Sequence, residues 1–185
     1  PRTVVPAYTP PPPRLSAEGW MFVAWAGVGV ALLGWMGVRW LSVARDIRRA
    51  TPGEPWLKDL LATTRREAGL LREVRLRLTN RPMSPAVCGL IRPVILLPRA
   101  LVAQLPLAQL RAVLLHELVH LRRGDVWVNC LQALLQIAYW WHPLLWLANA
   151  RIRRVREEAV DDAVMLTLRD DAEHYAPTLL EVAKL

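Results

Sequence analysis

The first long apolar run in the chain extends from Trp20 to Val38 and contains 19 residues without a charge. A helix needs about 20 predominantly apolar residues to cross the hydrocarbon core of a bilayer. Trp20 and Trp40 lie at the two ends of the run, and tryptophan is enriched at membrane–water interfaces. The pattern therefore predicts a transmembrane helix over residues 18–44.

The residues before this helix are predicted to form an extended linker. Five prolines lie between residues 6 and 13, and proline fixes φ and removes a hydrogen-bond donor, which excludes a helix there. Arg2 and Arg14 precede the apolar run, whereas four arginines closely follow it: Arg39, Arg45, Arg48 and Arg49. By the positive-inside rule, residues 1–17 form an extracytoplasmic linker and residues 45–185 lie in the cytosol.

Small residues on one side of the apolar helix predict contacts within the membrane. Gly27, Ala31 and Gly34 would form a stripe that packs against other transmembrane helices. Because the chain begins at a proline and stops inside an apolar helical pattern, we expect it to be part of a longer protein that supplies those helices.

The rest of the chain combines helical and strand patterns after a turn signal at Thr51 to Gly53. In the segment from Val74 to Leu78, apolar residues alternate with arginines, which is the period of a half-exposed strand. The predicted elements are helices over residues 55–72, 107–123 and 144–168 and strands over residues 74–78, 86–89 and 94–97. This order predicts a mainly helical α+β domain with one small sheet.

Residues 126–150 form a second apolar run, interrupted by His142 and Pro143. Proline disfavours helix at the preceding residue, so the chain can reverse there, and Asn129 and Gln132 are poorly suited to face lipid. We expect a helical hairpin that packs on the cytosolic domain and dips into the membrane interface, with its tryptophans at headgroup depth. A complete second span is the alternative.

The net charge of +8 is distributed around the apolar segments rather than in one dense stripe. The second apolar run, like the first, is followed by four arginines: Arg151, Arg153, Arg154 and Arg156. This placement favours contact with anionic lipid headgroups and argues against direct nucleic-acid binding. Two cysteines in unlike contexts, Cys88 and Cys130, predict no disulfide framework, which suits a reducing compartment.

Two histidines in the predicted helix over residues 107–123 have the spacing of metal ligands. His116 and His120 lie four residues apart, so both imidazoles project from one helix face and can share one ion. Glu117 lies beside them. This is the HExxH arrangement, in which two histidines bind zinc and the glutamate acts as general base. The alternative is a pair of ordinary core or surface histidines. Two buried histidines beside an acidic residue favour the metal-ligand interpretation.

A catalytic zinc needs a third protein ligand and one open position. Two acidic pairs on the last predicted helix have a spacing of four residues: Glu157 with Asp161, and Glu158 with Asp162. In either register the glutamate could bind zinc and the aspartate could accept the free N–H of a ligating histidine. The alternative is an acidic patch that pairs with nearby arginines. A complete membrane crossing by residues 126–150 would separate the ligands, which favours the hairpin.

Further residues are candidates for supporting roles. Asp125 follows the histidine helix and could orient His120, although a charge pair with a neighbouring arginine is equally compatible. His174 and Tyr175 could supply an oxyanion donor, but they also suit a helix surface. The segment around residues 86–90 is our candidate for an edge strand along which an extended peptide substrate binds.

Four segments together resemble the membrane metallopeptidases typified by the BlaR and MecR antirepressors. His116 to Asp125 is similar to the family signature HELxHxxRxD. The other three are Pro85 to Pro98, similar to PxVxGxxxPxIxLP; Trp140 to Trp146, similar to an aromatic-His-Pro element; and Arg156 to Val164, similar to RExxCDxxV. The resemblance covers roughly residues 20–182.

This resemblance implies a register for the metal ligands. Glu157 and Asp161 take the Glu and Asp positions of the family, and Val160 stands where a cysteine is common. The resemblance thus implies that Glu157 binds zinc with the two histidines. Asp161 and Asp125 would then orient the histidine ligands by accepting hydrogen bonds from their free N–H groups.

The resemblance also implies a fold and a function. We expect a zincin-like metalloprotease domain, attached to the transmembrane helix and facing the cytosol from the bacterial cytoplasmic membrane. Such proteins sense an extracytoplasmic stimulus and then cleave a cytosolic transcriptional repressor, or themselves. Two alternatives stay open: a membrane quality-control protease of the HtpX type, and a membrane scaffold that transmits signals without cleavage.

Overall fold

The structure, a computed structural model, describes residues 15–168. Its first element is α1, Ala17–Arg49, which begins where the side-chain oxygen of Ser16 accepts a hydrogen bond from the N–H of Gly19. None of its residues is buried, and it is the one helix among the described residues that is long and apolar enough to cross a membrane. The helix continues beyond the predicted end at residue 44, and both membrane boundaries stay predictions.

Four short strands form one mixed sheet. They are β1, Thr51–Pro52; β2, Arg75–Thr79; β3, Ala86–Cys88; and β4, Val94–Pro98. The order across the sheet is β1-β2-β4-β3, with β2 and β4 parallel and the other two pairs antiparallel. All residues of β4 are buried, as expected for an apolar strand in the middle of a sheet that is covered by helices.

The connection between β3 and β4 depends on Gly89. Its φ of +91° lies in the region that side chains disfavour, and a Cβ atom there would lie 2.7 Å from the carbonyl oxygen of Arg92. The turn allows β3 to pair antiparallel with β4, with Val87 opposite Ile95. Among the described strands β3 pairs only with β4, so it forms one edge of the sheet.

Five helices complete the described part of the chain: α2, Pro55–Glu67; α3, Arg99–Gln104; α4, Leu107–Arg123; α5, Asp125–Ala138; and α6, Pro143–Leu168. The core lies where α4 packs against the sheet and α6. Leu114 and Leu118 of α4, Ile95 of β4, and Val160 and Val164 of α6 are completely buried there. Because each such side chain contributes about 1.5–3 kcal/mol, this packing fixes α4 and α6 relative to each other.

Helices α5 and α6 form an antiparallel hairpin. The chain reverses over residues 139–142, and Nε2 of Gln132 on α5 donates a hydrogen bond to Oδ1 of Asn149 on α6 at 3.1 Å. The reversal occurs at the predicted break before Pro143. The position of the membrane relative to this hairpin stays a prediction.

The mainly helical α+β fold predicted from the sequence is confirmed, and the differences concern short elements. Helix α2 ends at Glu67, short of the predicted residue 72, because Gly69 with a φ of +66° reverses the chain. Thr51 and Pro52, which form a turn signal in the sequence, form β1 at the second edge of the sheet, where proline is tolerated. Helix α3 was not predicted.

Candidate metal centre

Helix α4 presents His116 and His120 on one face. The helix ends where Gly124 adopts a left-handed conformation with a φ of +76°, and its N–H bonds back to the carbonyl groups of the last turn. Both histidine side chains are largely buried, and their Nε2 atoms lie 3.1 Å apart. The helical spacing thus brings two imidazole nitrogens to one point.

Helix α6 brings Glu157 to the same point. Its Oε2 atom lies 3.6 Å from Nε2 of His116 and 3.4 Å from Nε2 of His120. These three residues form a group in which ligand atoms of all members lie within 4.8 Å of one another. A tetrahedral ion with bonds of about 2.0–2.1 Å requires separations of about 3.3 Å between its ligand atoms. The three atoms therefore already have the spacing that a shared metal ion needs.

Each histidine meets a carboxylate at its other ring nitrogen. Nδ1 of His120 lies 2.7 Å from Oδ2 of Asp125, and Nδ1 of His116 lies 3.3 Å from Oδ1 of Asp161. A carboxylate at Nδ1 favours the tautomer in which Nδ1 carries the proton and Nε2 presents its lone pair. Both Nε2 lone pairs then face Glu157, and a cation is the natural partner for two imidazole lone pairs and a carboxylate.

Glu117 lies on the same helix, next to the edge strand β3. Burial raises the pKa of its carboxyl group to about 7, with Glu157 adding to the rise; His120 and a hydrogen bond from the backbone of Val87 oppose it. A carboxyl group with a pKa near neutrality exchanges protons easily at physiological pH. The contact with Val87 also fixes the distance between this carboxylate and the sheet edge.

The surroundings leave one side of the centre open. The side chain of Glu157 is 54% exposed, whereas those of His116 and His120 are 16% and 17% exposed. Access is therefore from the side of α6, where a water molecule or a substrate can approach. The open side matches the free coordination position that distinguishes catalytic metal sites from structural ones.

Not every acidic or aromatic candidate belongs to this centre. Glu158 and Asp162 are exposed and lie outside the group of possible ligands. His174 and Tyr175 lie outside the described residues. Cys88 is only half-buried on β3, and burial together with the nearby Glu117 carboxylate raises the pKa of its thiol.

One buried residue was missed by the interpretation of the sequence. Arg156 was placed with the arginines that contact lipid headgroups, but it is 7% exposed. Its guanidinium donates hydrogen bonds to the backbone carbonyl of Asp125, to Oδ1 of Asn129 and to Oε1 of Gln132. The signal available in the sequence is the family block that begins at Arg156, whereas Arg154, which is exposed, lies outside it; periodicity and composition alone do not separate the two.

A sequence model of one family, the BlaR1 peptidase M56 family, matches residues 12–185 of the chain. The chain belongs to this family. The resemblance found in the motifs is thus confirmed, and with it membership of a metallopeptidase family. Helix α4 and helix α6, which carry the clustered histidines and Glu157, both lie within the matched range.

Individual relatives of this peptidase are regulatory and resistance proteins. The regulatory protein BlaR1 of Bacillus licheniformis is 35% identical over 112 residues, which cover 60% of this chain and 18% of the relative. The methicillin resistance mecR1 protein of Staphylococcus aureus strain Mu50 is 26% identical over 103 residues, which cover 55% of this chain and 18% of the relative. The aligned segments thus span less than a fifth of the length of either relative.

Proposed function

We propose that this member of the BlaR1 peptidase M56 family is a zinc endopeptidase. In this proposal His116, His120 and Glu157 bind the zinc ion, and Glu117 is the general base. The observation that carries the proposal is the convergence of two imidazole nitrogens and one carboxylate oxygen at separations of 3.1, 3.4 and 3.6 Å. Imidazole and carboxylate donors with one open position are the ligand set of catalytic zinc.

The proposed reaction requires a metal ion and the carboxylate of Glu117. A bound zinc ion would polarise the carbonyl of the scissile peptide bond and make a water molecule more acidic. Glu117 accepts the proton of that water as it attacks the carbonyl carbon, and then transfers the proton to the leaving amine. The rise of its pKa to about 7 suits both halves of this task, since the group must accept and release one proton in each cycle.

The substrate would bind along β3. This strand is an edge of the described sheet and contacts α4 through the hydrogen bond from Val87 to Glu117. An extended peptide can add to such an edge through backbone hydrogen bonds, which present successive peptide groups irrespective of sequence. We therefore propose that a peptide paired with β3 presents its scissile bond beside Glu117.

The proposed biological role is based on the relatives of the chain and on helix α1. A regulatory protein and a resistance protein are related to the chain, and α1 is a candidate membrane span. We propose a signal-transducing protease of the bacterial cytoplasmic membrane, with its peptidase domain in the cytosol, that cleaves a transcriptional repressor or itself. This role requires no contact between the chain and nucleic acid.

Replacement of Glu117 by glutamine tests the proposal. The full-length membrane protein and its Glu117→Gln variant are purified. Their zinc content is measured, together with their cleavage of a transcriptional repressor encoded by a neighbouring gene. We expect equal zinc content and a loss of cleavage by about a hundredfold or more, the contribution typical of general acid–base catalysis. Glu158→Gln, one residue beyond the proposed ligand and exposed, is the matched control and should cleave normally.

The outcomes separate the alternatives. A Glu117→Gln variant that binds zinc and cleaves at the normal rate would exclude Glu117 as the base. A wild-type protein that binds zinc and cleaves no protein substrate would favour the signalling scaffold. Cleavage of many misfolded membrane proteins, with the repressor untouched, would favour a quality-control protease.

A further inference from the structure

The hairpin formed by α5 and α6 has an apolar outer surface at its tip. Between Asp125 and Arg151 the chain carries no charged residue. Exposed side chains surround the turn, among them Trp141, Leu144 and Leu147, of which the last two are 65% and 68% exposed. Large apolar groups exposed in one contiguous patch indicate a surface that is covered in the functional protein.

The hairpin lies alongside α1, which has the composition of a membrane span. At the tip, the ring of Trp141 contacts that of Trp25 on α1 in an edge-to-face arrangement with centroids 6.0 Å apart. At the other end of α1, the guanidinium of Arg77 on β2 donates hydrogen bonds to the carbonyl oxygens of Ile47 and Ala50. The apolar surface of the hairpin is therefore continuous with that of α1.

Two distances along the helices give the depth of the tip. Trp25 lies fourteen residues before Arg39, the first basic residue after the apolar run, which corresponds to about 21 Å of helix. On α6 the first arginine, Arg151, lies eight residues after Pro143, about 12 Å. Half of the hydrocarbon core is about 15 Å thick. Both distances place the tip among acyl chains rather than among headgroups.

Two polar side chains in the middle of the hairpin are turned inward. Gln132 and Asn149 are 8% and 4% exposed and bond to each other, and Asn129 accepts a hydrogen bond from the buried Arg156. An inserted hairpin must satisfy its polar groups internally, since lipid offers no hydrogen-bond partners. The exterior around the turn is mainly apolar and aromatic, with His142 also exposed there.

We propose that the α5–α6 hairpin is a re-entrant membrane element whose tip is covered by lipid acyl chains. It enters and leaves through the leaflet next to the metal centre. Arg151, Arg153 and Arg154 then lie at the headgroups, where anionic lipid attracts them. Glu157 follows Arg154 by three residues, about 5 Å along α6, so the metal centre lies at the membrane surface.

This inference rests on the membrane location within the proposed function but not on catalysis. It differs from the shallow hairpin expected from the sequence, in which the tryptophans lie at headgroup depth. The contact between Trp25 and Trp141 is the observation that favours the deeper position, because Trp25 lies well inside the uncharged run of α1.

Depth-dependent fluorescence quenching tests the proposal on the full-length protein. All native cysteines of that protein, Cys88 and Cys130 among them, are replaced by alanine, and single cysteines are introduced at exposed positions by Leu144→Cys and Leu147→Cys. Each is labelled with bimane and reconstituted in phosphatidylcholine–phosphatidylglycerol vesicles that contain a nitroxide either on the headgroup or near the end of the acyl chain. We expect acyl-chain nitroxides to quench both labels at least about twofold more strongly than headgroup nitroxides.

Two control positions calibrate the measurement. Val30→Cys lies in the middle of the apolar run of α1 and is 68% exposed, and Leu71→Cys precedes β2 and is 97% exposed. The first should be quenched from the acyl chains and the second by neither nitroxide. Stronger quenching of the hairpin labels from the headgroups would overturn the proposal in favour of a shallow hairpin.

A lack of quenching by either nitroxide at the hairpin, while Val30→Cys responds, would also overturn it, since protein would then cover the tip. The same measurements in a Glu117→Gln background keep the two proposals distinguishable. An unchanged quenching pattern in a variant without peptidase activity shows insertion irrespective of catalysis.

Discussion

Nδ1 of His120 lies 2.7 Å from the carboxylate of Asp125, the first residue of α5. The contact is possible because Gly124, with a φ of +76°, ends α4 and begins α5 at a single residue. The side chain of Asp125 is 7% exposed, and Arg156 donates a hydrogen bond to its backbone carbonyl. The turn between two helices thus places a buried carboxylate behind one of the proposed ligands.

Replacement of Asp125 by asparagine should weaken metal binding. The carboxamide cannot stabilise the same imidazole tautomer as strongly, and loss of a carboxylate behind a ligating histidine typically reduces metal affinity by about 10- to 100-fold. We expect a reduction of that size for Asp125→Asn, measured by competition with a zinc chelator. Asp162→Asn, an exposed aspartate on α6, is the control and should leave the affinity unchanged. Equal affinities for both variants would exclude a supporting role for Asp125.

The part of the site predicted from the sequence is the part determined by helix periodicity. His116 and His120 lie on one face of α4 because four residues make about one turn, irrespective of the rest of the fold. Glu157 is 37 residues beyond His120 and lies on a different helix, so its position depends on how α6 packs on α4. Spacing alone left two registers open, and the family motif was needed to choose between them.

Packing also explains what the sequence did not reveal. The composition around the buried Arg156 is the same as around the exposed Arg153 and Arg154. Its place at the start of the family block sets it apart, and its contact with α5 explains its burial. Strand β1, with two residues, and helix α3, with six, are too short to produce a periodic pattern. Their positions are determined by partners distant in the chain.

Replacement of Glu157 by glutamine should remove the metal. Its Oε2 atom lies 3.4 and 3.6 Å from the two histidine Nε2 atoms, and the variant substitutes a neutral amide for the only carboxylate among the three proposed ligands. Loss of a carboxylate behind a ligating histidine reduces metal affinity by about 10- to 100-fold. We expect a larger reduction in zinc affinity for Glu157→Gln, because this variant alters a proposed ligand itself. Zinc stoichiometry after gel filtration measures the loss, with Glu158→Gln as the matched control.

If Glu158→Gln lost the metal and Glu157→Gln retained it, the ligand register would be the shifted one. That result would also require α6 to rotate relative to α4, because Glu158 is exposed and outside the present group of ligand atoms. Circular dichroism of both variants would verify that neither substitution unfolds the domain.

Replacement of Arg156 by methionine should destabilise the hairpin. The guanidinium of Arg156 bonds to Oδ1 of Asn129 at 2.7 Å and to Oε1 of Gln132 at 3.4 Å. Its loss leaves the buried Oε1 of Gln132 and the buried carbonyl oxygen of Asp125 without this donor, at a cost of about 2 kcal/mol in the free energy of unfolding. Arg154→Met removes an exposed charge from the same helix and should change stability by less than about 0.5 kcal/mol. Denaturant unfolding in detergent compares the two variants; equal stabilities would contradict a structural role for the network.

The pKa of Glu117 makes a prediction about stability in the metal-free protein. Burial raises this pKa from 4.5 to about 7, so folding favours the neutral carboxyl group. Below pH 4.5 the group is neutral in both the folded and the unfolded chain and makes no difference. Between pH 4.5 and about 7 the unfolded chain ionises first, so the free energy of unfolding falls as the pH rises.

The variant Glu117→Gln isolates this contribution, because glutamine is similar in size and does not ionise. A pKa rise from 4.5 to about 7 corresponds to about 3 kcal/mol. We expect metal-free Glu117→Gln to be more stable than the metal-free wild type by about that amount above pH 7, with the difference vanishing towards pH 4.5. Unfolding of both proteins in chelator across this pH range measures the difference. A constant difference, independent of pH, would show that the carboxyl group of Glu117 has the same pKa in the folded and the unfolded protein, and that its environment is far more polar than the packing of α4 against β3 implies.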